Sequence, residues 1–370
     1  MALPRTAGRG ASVADLVDVA DESPEALFAL LAERGWGDGL PLVAPTETRV
    51  DAMLATYGGD PDEVIGVVPP RDGEATPRTI AANAVMAGCP PDVLPVLVAA
   101  ARAITHPEVN LRGVQATTHP VAPLLIVHGD AVGRHGFNAG LGTFGPGARA
   151  NATVGRALRF VLLHVGGGRP GDGDASTQGQ PAKYTYCIAE NAAASPWPAY
   201  HRSRGVAAPS AVTVHCGENP HNFHDMESDE PVRILEKAAS VMATLGVNNA
   251  PISQGEFFVI LCPEHAATIA AHGWSRDDVS AFLFEHARLP AGKLRAAFTS
   301  LAWADWMQAV DDPDALLPLT DAVGNIRVLV AGGAGKHSCV VPSWGMTRSV
   351  TVPVEYPSDP DGALGHGRGA

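Results

Sequence analysis

The sequence predicts an α/β fold, made of largely parallel sheets covered by helices and arranged as one large unit or as two intimately packed units. The first observation is composition: 46% of the 370 residues are apolar and 18% are charged, so the chain can bury a sizeable core. The second is a repeated pattern in which a uniformly apolar segment runs into a polar loop. Uniformly apolar strands are typical of sheets that are covered on both faces.

Four segments follow this pattern: PLLIVHGD (123 to 130), AVTVHCGENPH (211 to 221), EFFVILCPEH (256 to 265) and IRVLVAGGAGKHS (326 to 338). Helical patterns at 231 to 245, 264 to 272 and 276 to 287 suit crossover connections. In open α/β sheets, ligands bind beyond the carboxyl ends of the strands. We therefore expect the polar residues after these strands to gather at one site: His128, His215, Cys216, Cys262 and the glycine loop at 332 to 335.

The chain divides into four predicted regions. They are a flexible lead (1 to 22), an N-terminal α/β unit with a glycine-rich anion-binding loop (23 to 205), a C-terminal α/β unit (206 to 356) and a disordered tail (357 to 370). In the first of the two units, Ser23 and Pro24 suit the start of a helix that ends at Gly35.

Charge limits the classes of partner. The chain carries 26 Lys and Arg against 39 Asp and Glu, a net charge of −13, which disfavours nucleic acid and anionic membranes as partners. No apolar stretch resembles a secretory signal or spans a bilayer, so the sequence predicts a cytoplasmic protein. The five cysteines are odd in number and scattered, which indicates reduced thiols. The dispersed glycine loops and apolar composition favour a homo-oligomer.

Two N-terminal segments contain candidate site residues. The stretch GWGDGLPLVAPT (35 to 46) is typical of a tight turn that feeds a strand, or else of a loop that brings Asp38 to a substrate. Residues 77 to 105 predict two helices broken at Gly88, which places Cys89 at a helix N-terminus. That position lowers the pKa of a thiol and makes Cys89 a candidate nucleophile or redox thiol, unless it simply fills a helix corner.

Two glycine loops are candidates for anion binding. Four glycines between 140 and 147 precede a helix predicted from Asn151, and Arg149 lies beside them, so backbone amides and positive charge can hold a carboxylate or phosphate. The alternative is close backbone packing. The loop VAGGAGKHS (330 to 338) does not match a P-loop, yet its amides, Lys336 and His337 can also hold an anion. The alternative there is a structural turn with a surface lysine.

Histidines concentrate in VTVHCGENPHNFHDM (212 to 226). His215, His221 and His224, with Asp225 as an alternative ligand, can form an open three-ligand site for a divalent ion, and zinc is the first guess. The alternative is a loop whose histidines bind substrate or act as general acid or base, with His215 the catalytic candidate.

The segment YTYCIAEN (184 to 191) adds two candidates. Cys187 and Glu190 follow a strand-like run, so the carboxylate can serve as the acid/base partner of the thiol. The alternative is that Glu190 caps the next turn.

Five blocks carry a family resemblance: GWGDGLPLVAPT, NAVMAGCPPDVLPVLVAA, GPGARANATVGRALR, GQPAKYTYCIAENAAASPW and GGAGKHS. In this order, between residues 23 and 353, they resemble a bacterial family associated with UGSC-type selenoproteins and thiol proteins, which themselves resemble glycine reductase selenoprotein B. The resemblance implies sulfur or selenium redox chemistry with a small thiol or selenol partner protein. It carries functional roles to Cys89, Asn151, Cys187, Glu190 and the loop at 332 to 338. The chain has no U-G-S-C or C-G-S-C motif, so a partner would supply the reactive pair.

Three functional hypotheses follow. The first is an enzyme that acts on a small anionic or thiol-containing substrate, by redox or lyase chemistry, with Cys89 as the thiol. The second is a metal-dependent hydrolase or lyase that uses the histidine cluster. The third is a non-catalytic subunit of a heteromeric enzyme.

Overall fold

Two four-stranded sheets form the centre of the protein. The computed structural model describes residues 21, 23 to 252, 254 to 299 and 305 to 357. Apart from residues 21 and 357, the predicted flexible lead and tail lie outside the described residues. The described strands are β1 Gly66–Val68, β2 Gly73–Ala75, β3 Ala122–Gly129, β4 Arg169–Pro170, β5 Gly173–Asp174, β6 Cys187–Ala189, β7 Ser210–Gly217, β8 His221–His224, β9 Phe257–Leu261, β10 Arg288–Pro290, β11 Leu316–Pro318, β12 Ile326–Val330, β13 His337–Pro342 and β14 Val350–Pro353.

The first sheet has the order β14-β7-β3-β6 and the second has the order β12-β9-β13-β8. In each sheet one pair is parallel, β3 with β6 and β9 with β12, and the other two pairs are antiparallel. The prediction of an α/β protein is confirmed, but the prediction of largely parallel sheets is wrong because both sheets are mixed. Uniformly apolar strands indicate that both faces are covered, whereas strand direction depends on the connections between strands.

Fourteen α-helices are present in the described part of the chain. They are α1 Pro24–Glu33, α2 Glu47–Leu54, α3 Pro77–Ala87, α4 Leu94–Ile104, α5 Leu111–Ala116, α6 Asp130–Arg134, α7 Arg149–Phe160, α8 Tyr200–Ser203, α9 Pro231–Met242, α10 Asn249–Ile252, α11 Pro263–Ala271, α12 Arg276–His286, α13 Ala291–Ala297 and α14 Asp305–Gln308. The helices predicted in the C-terminal half correspond to α9, α11 and α12. The predicted break at Gly88 is confirmed, because Gly88 ends α3 in the left-handed conformation.

The sheets pack face to face, and helices cover their outer faces, so the protein has four layers. Alternate residues of a strand point to opposite faces. In β3, Leu124 and Ile126 pack against Phe258 and Ile260 of β9 in the core between the sheets. Leu125 and its outward-facing neighbours pack against α3, α4 and α7, while the outer face of the second sheet packs against α9, α11 and α12.

The structure confirms some of the local predictions and differs from others. Helix α1 begins after Ser23, whose hydroxyl accepts a hydrogen bond from the Ala26 N–H, as predicted. The segment 35 to 46 contains no strand; its irregular backbone leads directly into α2. The predicted boundary near residue 205 does not separate the sheets, because β7 and β14 both follow it and complete the first sheet. No helix in the described part of the chain has the length and apolar character needed to cross a membrane.

Candidate functional site

Charged groups converge in a cleft of about 920 Å³, here called the cation cleft. Its wall comes from residues 37 to 38, from most of 174 to 184, and from Arg159, Leu163, Pro170 and Asn219. Three of the five blocks that carry the family resemblance contribute to it. A large cleft in which a few polar groups converge is the default candidate for a binding site.

A buried cation, Arg159, and a partly buried one, Lys183, share one carboxylate in this cleft. Arg159 Nη2 lies 2.9 Å from Asp174 Oδ2, and Lys183 Nζ lies 2.7 Å from the same oxygen. Burial lowers the pKa of Lys183, although Asp174 acts in the opposite direction. Burial works to raise the pKa of Asp174, but hydrogen bonding and charge from Lys183 outweigh it and the pKa is lowered. With all three groups ionised, one positive charge is left over, which suits an anionic ligand.

Asp38 lines the cleft, but Arg156 occupies both of its oxygens. Arg156 Nε and Nη2 donate to the Asp38 carboxylate at 2.8 and 2.7 Å. His164 holds the same loop: its Nε2 accepts from the Gly37 N–H at 3.0 Å, and its Nδ1–H donates to Asn83 Oδ1 at 2.6 Å. Burial lowers the pKa of His164 to about 3, which keeps the ring neutral and able to accept. Because both oxygens of the Asp38 carboxylate accept from Arg156, this carboxylate is a structural part of the cleft wall.

A histidine–glutamate pair lies behind the cleft wall. His119 Nε2 is 2.9 Å from Glu218 Oε1, and His119 Nδ1 is buried without a described hydrogen-bond partner. The cleft-lining Gln180 donates to the carbonyls of Pro120 and Gly217, the chain neighbours of this pair. With the Nε2 proton donated to Glu218, the Nδ1 lone pair is free to accept a proton. The histidine-rich stretch thus reaches the cleft through Asn219, and neither Asn219 nor Glu218 is among the predicted site residues.

The predicted activation of Cys89 is wrong. Burial raises the pKa of Cys89 to about 12, and nearby Thr153 and Arg149 offset only part of this effect. Burial also raises the pKa of Cys187 strongly. Both thiols belong to the core between the first sheet and its helices. The desolvation of a thiolate in this core outweighs the electrostatic benefit of a nearby helix start.

The two glycine loops do meet. The Gly332 N–H donates to the Ala139 carbonyl at 2.8 Å, and the loops enclose a cavity of about 270 Å³ whose lining includes His337. However, Glu264 already accepts hydrogen bonds from the N–H groups of Gly335 and Lys336, at 2.5 and 2.8 Å. These amides therefore already bind an anion, and that anion is the carboxylate of Glu264.

The other predicted anion ligands also have structural partners. Arg149 Nε donates to the Gly88 carbonyl at 3.0 Å, and Lys336 Nζ donates to the Met226 carbonyl at 3.0 Å. Asn151 bonds the loop before α7 at three points, through the Asn138 N–H and the carbonyls of Asn138 and Thr143. These hydrogen bonds use Arg149 Nε, Lys336 Nζ and both amide atoms of Asn151 to hold the loops in place.

The predicted metal ligands do not converge. His215 is buried between the sheets, whereas His221 and His224 are exposed. His221 and His224 lie three positions apart in β8 and therefore point to opposite faces of the strand. The ring of His224 instead lies near that of His337, with ring centroids 5.5 Å apart and a tilt of 33° between the ring planes. The spacing of these histidines along the chain is compatible with a metal site. However, side chains alternate between the two faces of a strand, and this alternation separates His221 from His224.

His215 belongs to a buried polar cluster with Glu256 and Arg327. Glu256 accepts from Arg327 Nη2 at 2.8 Å and from the Ser349 N–H at 2.7 Å, and His215 Nδ1 lies 3.8 Å from its carboxylate. Burial works to raise the pKa of Glu256, but His215, Arg327 and Ser349 lower it to about 2. The carboxylate is therefore ionised and balanced by Arg327 in the interior.

One cysteine has the environment predicted for Cys89. Cys262 is the N-cap residue of α11, and the Nδ1 of His265 lies 2.8 Å from Ser338 Oγ, which also accepts from the Cys262 N–H. Burial works to raise the pKa of Cys262, but His265 and Ser338 outweigh it and lower the pKa. Burial works to lower the pKa of His265, but Cys262 and the Asp225 carbonyl raise it. The sequence signal is C-P-E-H, a thiol just before the first turn of a helix.

Comparison with protein-family models, with curated proteins and with solved structures gives no match for this chain.

Proposed function

We propose that the protein is an enzyme that acts on a small anionic substrate bound in the cation cleft, with Arg159 and Lys183 as its anion ligands. The observation that carries the proposal is the sharing of one buried carboxylate, Asp174, by the buried Arg159 and the partly buried Lys183 in the wall of this cleft. A ligand anion can take hydrogen bonds from both cations without leaving Asp174 unpaired.

The proposed chemistry is proton transfer, of the lyase or hydrolase type. His119, held by Glu218, precedes Pro120, whose carbonyl accepts from the cleft-lining Gln180, and its buried Nδ1 has no described hydrogen-bond partner. Among the described residues that line the cleft there is no cysteine, so the cleft favours acid–base chemistry over thiol chemistry. The resemblance to the UGSC-associated family stays a prediction, as does a thiol or selenol partner.

Replacement of Lys183 by glutamine is expected to weaken anion binding by about tenfold or more, because a hydrogen bond to a charged group is lost. The measurement is a thermal-shift and calorimetric titration with inorganic phosphate and a panel of small mono- and dicarboxylic acids. Lys293→Gln is the matched control, since Lys293 is exposed and outside the cleft. Equal affinities in the wild type and Lys183→Gln, or no anion that binds, would contradict the proposal.

The acids that bind are then tested as substrates. His119→Gln is expected to keep anion affinity and to lower turnover by about 10²-fold or more, which is the usual contribution of a general acid or base. Turnover equal to the wild type would remove His119 from the mechanism. Binding without any turnover, together with co-purification of a small thiol protein, would favour the alternative of a non-catalytic subunit.

A second candidate function, thiol chemistry at Cys262, rests on the Cys262–His265 pair. We expect a small alkylating reagent at neutral pH to modify Cys262 before the other four cysteines, because its pKa is lowered whereas burial raises the pKa of Cys89, Cys216 and Cys339 to about 12. The measurement is peptide mapping by mass spectrometry over a time course. His265→Gln should slow modification of Cys262, and first modification at Cys339, which is more exposed, would refute a thiolate at Cys262.

A further inference from the structure

A second group of ligand-type side chains lies away from the cation cleft, at the end of β3. His128, Glu190 and His201 each offer one ligand atom, and these three atoms all lie within 4.8 Å of one another. All three side chains are buried. They reach this point from β3, from the residue that follows β6, and from α8, so the chain brings them together over a long sequence separation.

His201 has no described hydrogen-bond partner at either ring nitrogen, although only 2% of the residue is exposed. A buried imidazole with two unused nitrogens is suited to coordinate a metal ion.

The other two side chains already have the outer hydrogen bonds that are typical of metal ligands. His128 Nε2 lies 2.8 Å from Thr213 Oγ1, which contacts Thr351 Oγ1 at 2.9 Å. Glu190 Oε1 accepts from the Tyr200 N–H at 2.7 Å, and Glu190 Oε2 lies 2.7 Å from His128 Nδ1. One side-chain atom of His128 and one of Glu190 are thus held by hydrogen bonds to residues outside the cluster. The other ring nitrogen of His128 and the other carboxylate oxygen of Glu190 face each other within the cluster.

The backbone around the cluster also allows this approach. Gly129 has a φ of +70°, and a Cβ at that position would lie 1.9 Å from the Pro209 carbonyl and 3.4 Å from His201 Cε1. Glycine at 129 therefore lets the segment that bears His201 come close to the end of β3.

From this arrangement we propose that His128, Glu190 and His201 bind a divalent metal ion, with zinc as the first expectation. Two imidazoles and one carboxylate are a donor set that zinc and other late transition metals accept. Small side-chain rotations can bring the three atoms to the usual distance of about 2.0–2.2 Å from one ion. Because all three side chains are buried, the ion would tie β3, β6 and α8 together as a structural centre. The trio differs from the histidine set that the sequence predicts.

The test is metal analysis of the protein purified without chelator and without added metal, and then after incubation with Zn²⁺ and dialysis. We expect about one equivalent of metal per chain, on a three-ligand site of this kind. His201→Gln should lose the metal. His272→Gln is the matched control, because His272 is exposed and bonds the Thr268 carbonyl of its own helix. Thr213→Val, which preserves side-chain shape, should lower Zn²⁺ affinity by about 10- to 100-fold, the usual effect of removing an outer partner.

X-ray absorption of the loaded wild-type protein gives a readout that does not depend on whether a variant folds. A first shell of nitrogen and oxygen supports the site. A sulfur ligand, a wild-type protein that takes up no Zn²⁺, or full metal retention in His201→Gln would each overturn the proposal. Anion binding at the cation cleft uses none of these residues, so the two proposals fail independently.

Discussion

Replacement of Arg327 by leucine is expected to lower the free energy of unfolding by about 3 to 5 kcal/mol, the usual cost of leaving a buried partner charge uncompensated. The side chain of Glu256 is 1% exposed, and Arg327 is one of the groups that hold its pKa at about 2, so removal of Arg327 leaves this buried carboxylate without its charge partner. The measurement is urea denaturation at neutral pH.

The control for this prediction is Arg233→Leu. The side chain of Arg233 is 69% exposed, and its Nε lies as far as 3.7 Å from Glu230 Oε2, so the two form a weak surface ion pair. Removal of Arg233 should therefore change stability by less than about 0.5 kcal/mol. The double variant Arg327→Leu with Glu256→Gln should recover part of the loss, since no unpaired charge remains. A loss below about 1 kcal/mol in Arg327→Leu would show that the buried pair is not formed.

Replacement of Gly155 by alanine is expected to destabilise the protein by about 1 to 3 kcal/mol, because the added methyl group overpacks the contact between α7 and β6. A Cβ at Gly155 would lie 2.6 Å from Thr185 Oγ1 and 2.7 Å from the Tyr186 backbone nitrogen. The strand backbone cannot move away freely, because β6 is paired with β3. Thermal and urea unfolding measure the effect.

Gly133→Ala is the matched control for Gly155→Ala. Gly133 also lies in a helix, α6, but a Cβ there meets no atom within 4 Å. Alanine should therefore stabilise the protein by about 0.4 to 1 kcal/mol, by restricting the unfolded chain. If the two variants change stability in the same direction, the close packing of α7 on β6 is not as described.

Local patterns in the sequence account for much of the secondary structure. Ser23 and Pro24 start α1, and Gly88 ends α3, because capping and turn preferences act between near neighbours. The apolar runs at β3, β7, β9 and β12 form buried strands because their side chains fit a sheet that is covered on both faces. Strand direction was not predictable from these runs, since each strand is apolar on both faces in either direction.

The candidate site was less predictable, because its chemistry depends on groups far apart in the chain. Glycine loops with nearby cations indicate anion binding, but Glu264 fills one loop from 71 positions away. Asp38 is paired with Arg156 across 118 positions. A helix start indicates a reactive thiol, and that reasoning applies to Cys262, whereas the core around Cys89 raises its pKa.

The sequence by itself determined the mixed α/β class, the positions of the main apolar strands, and the starts of the principal helices. Those properties follow from hydrophobic periodicity and from capping residues, which act over a few positions. The tertiary structure alone decided the mixed direction of the sheets, the pairing of Arg159 and Lys183 on Asp174, and the meeting of His128, Glu190 and His201. Burial and the choice of partner set the charge and reactivity of each side chain, and both depend on which distant segments the fold packs together.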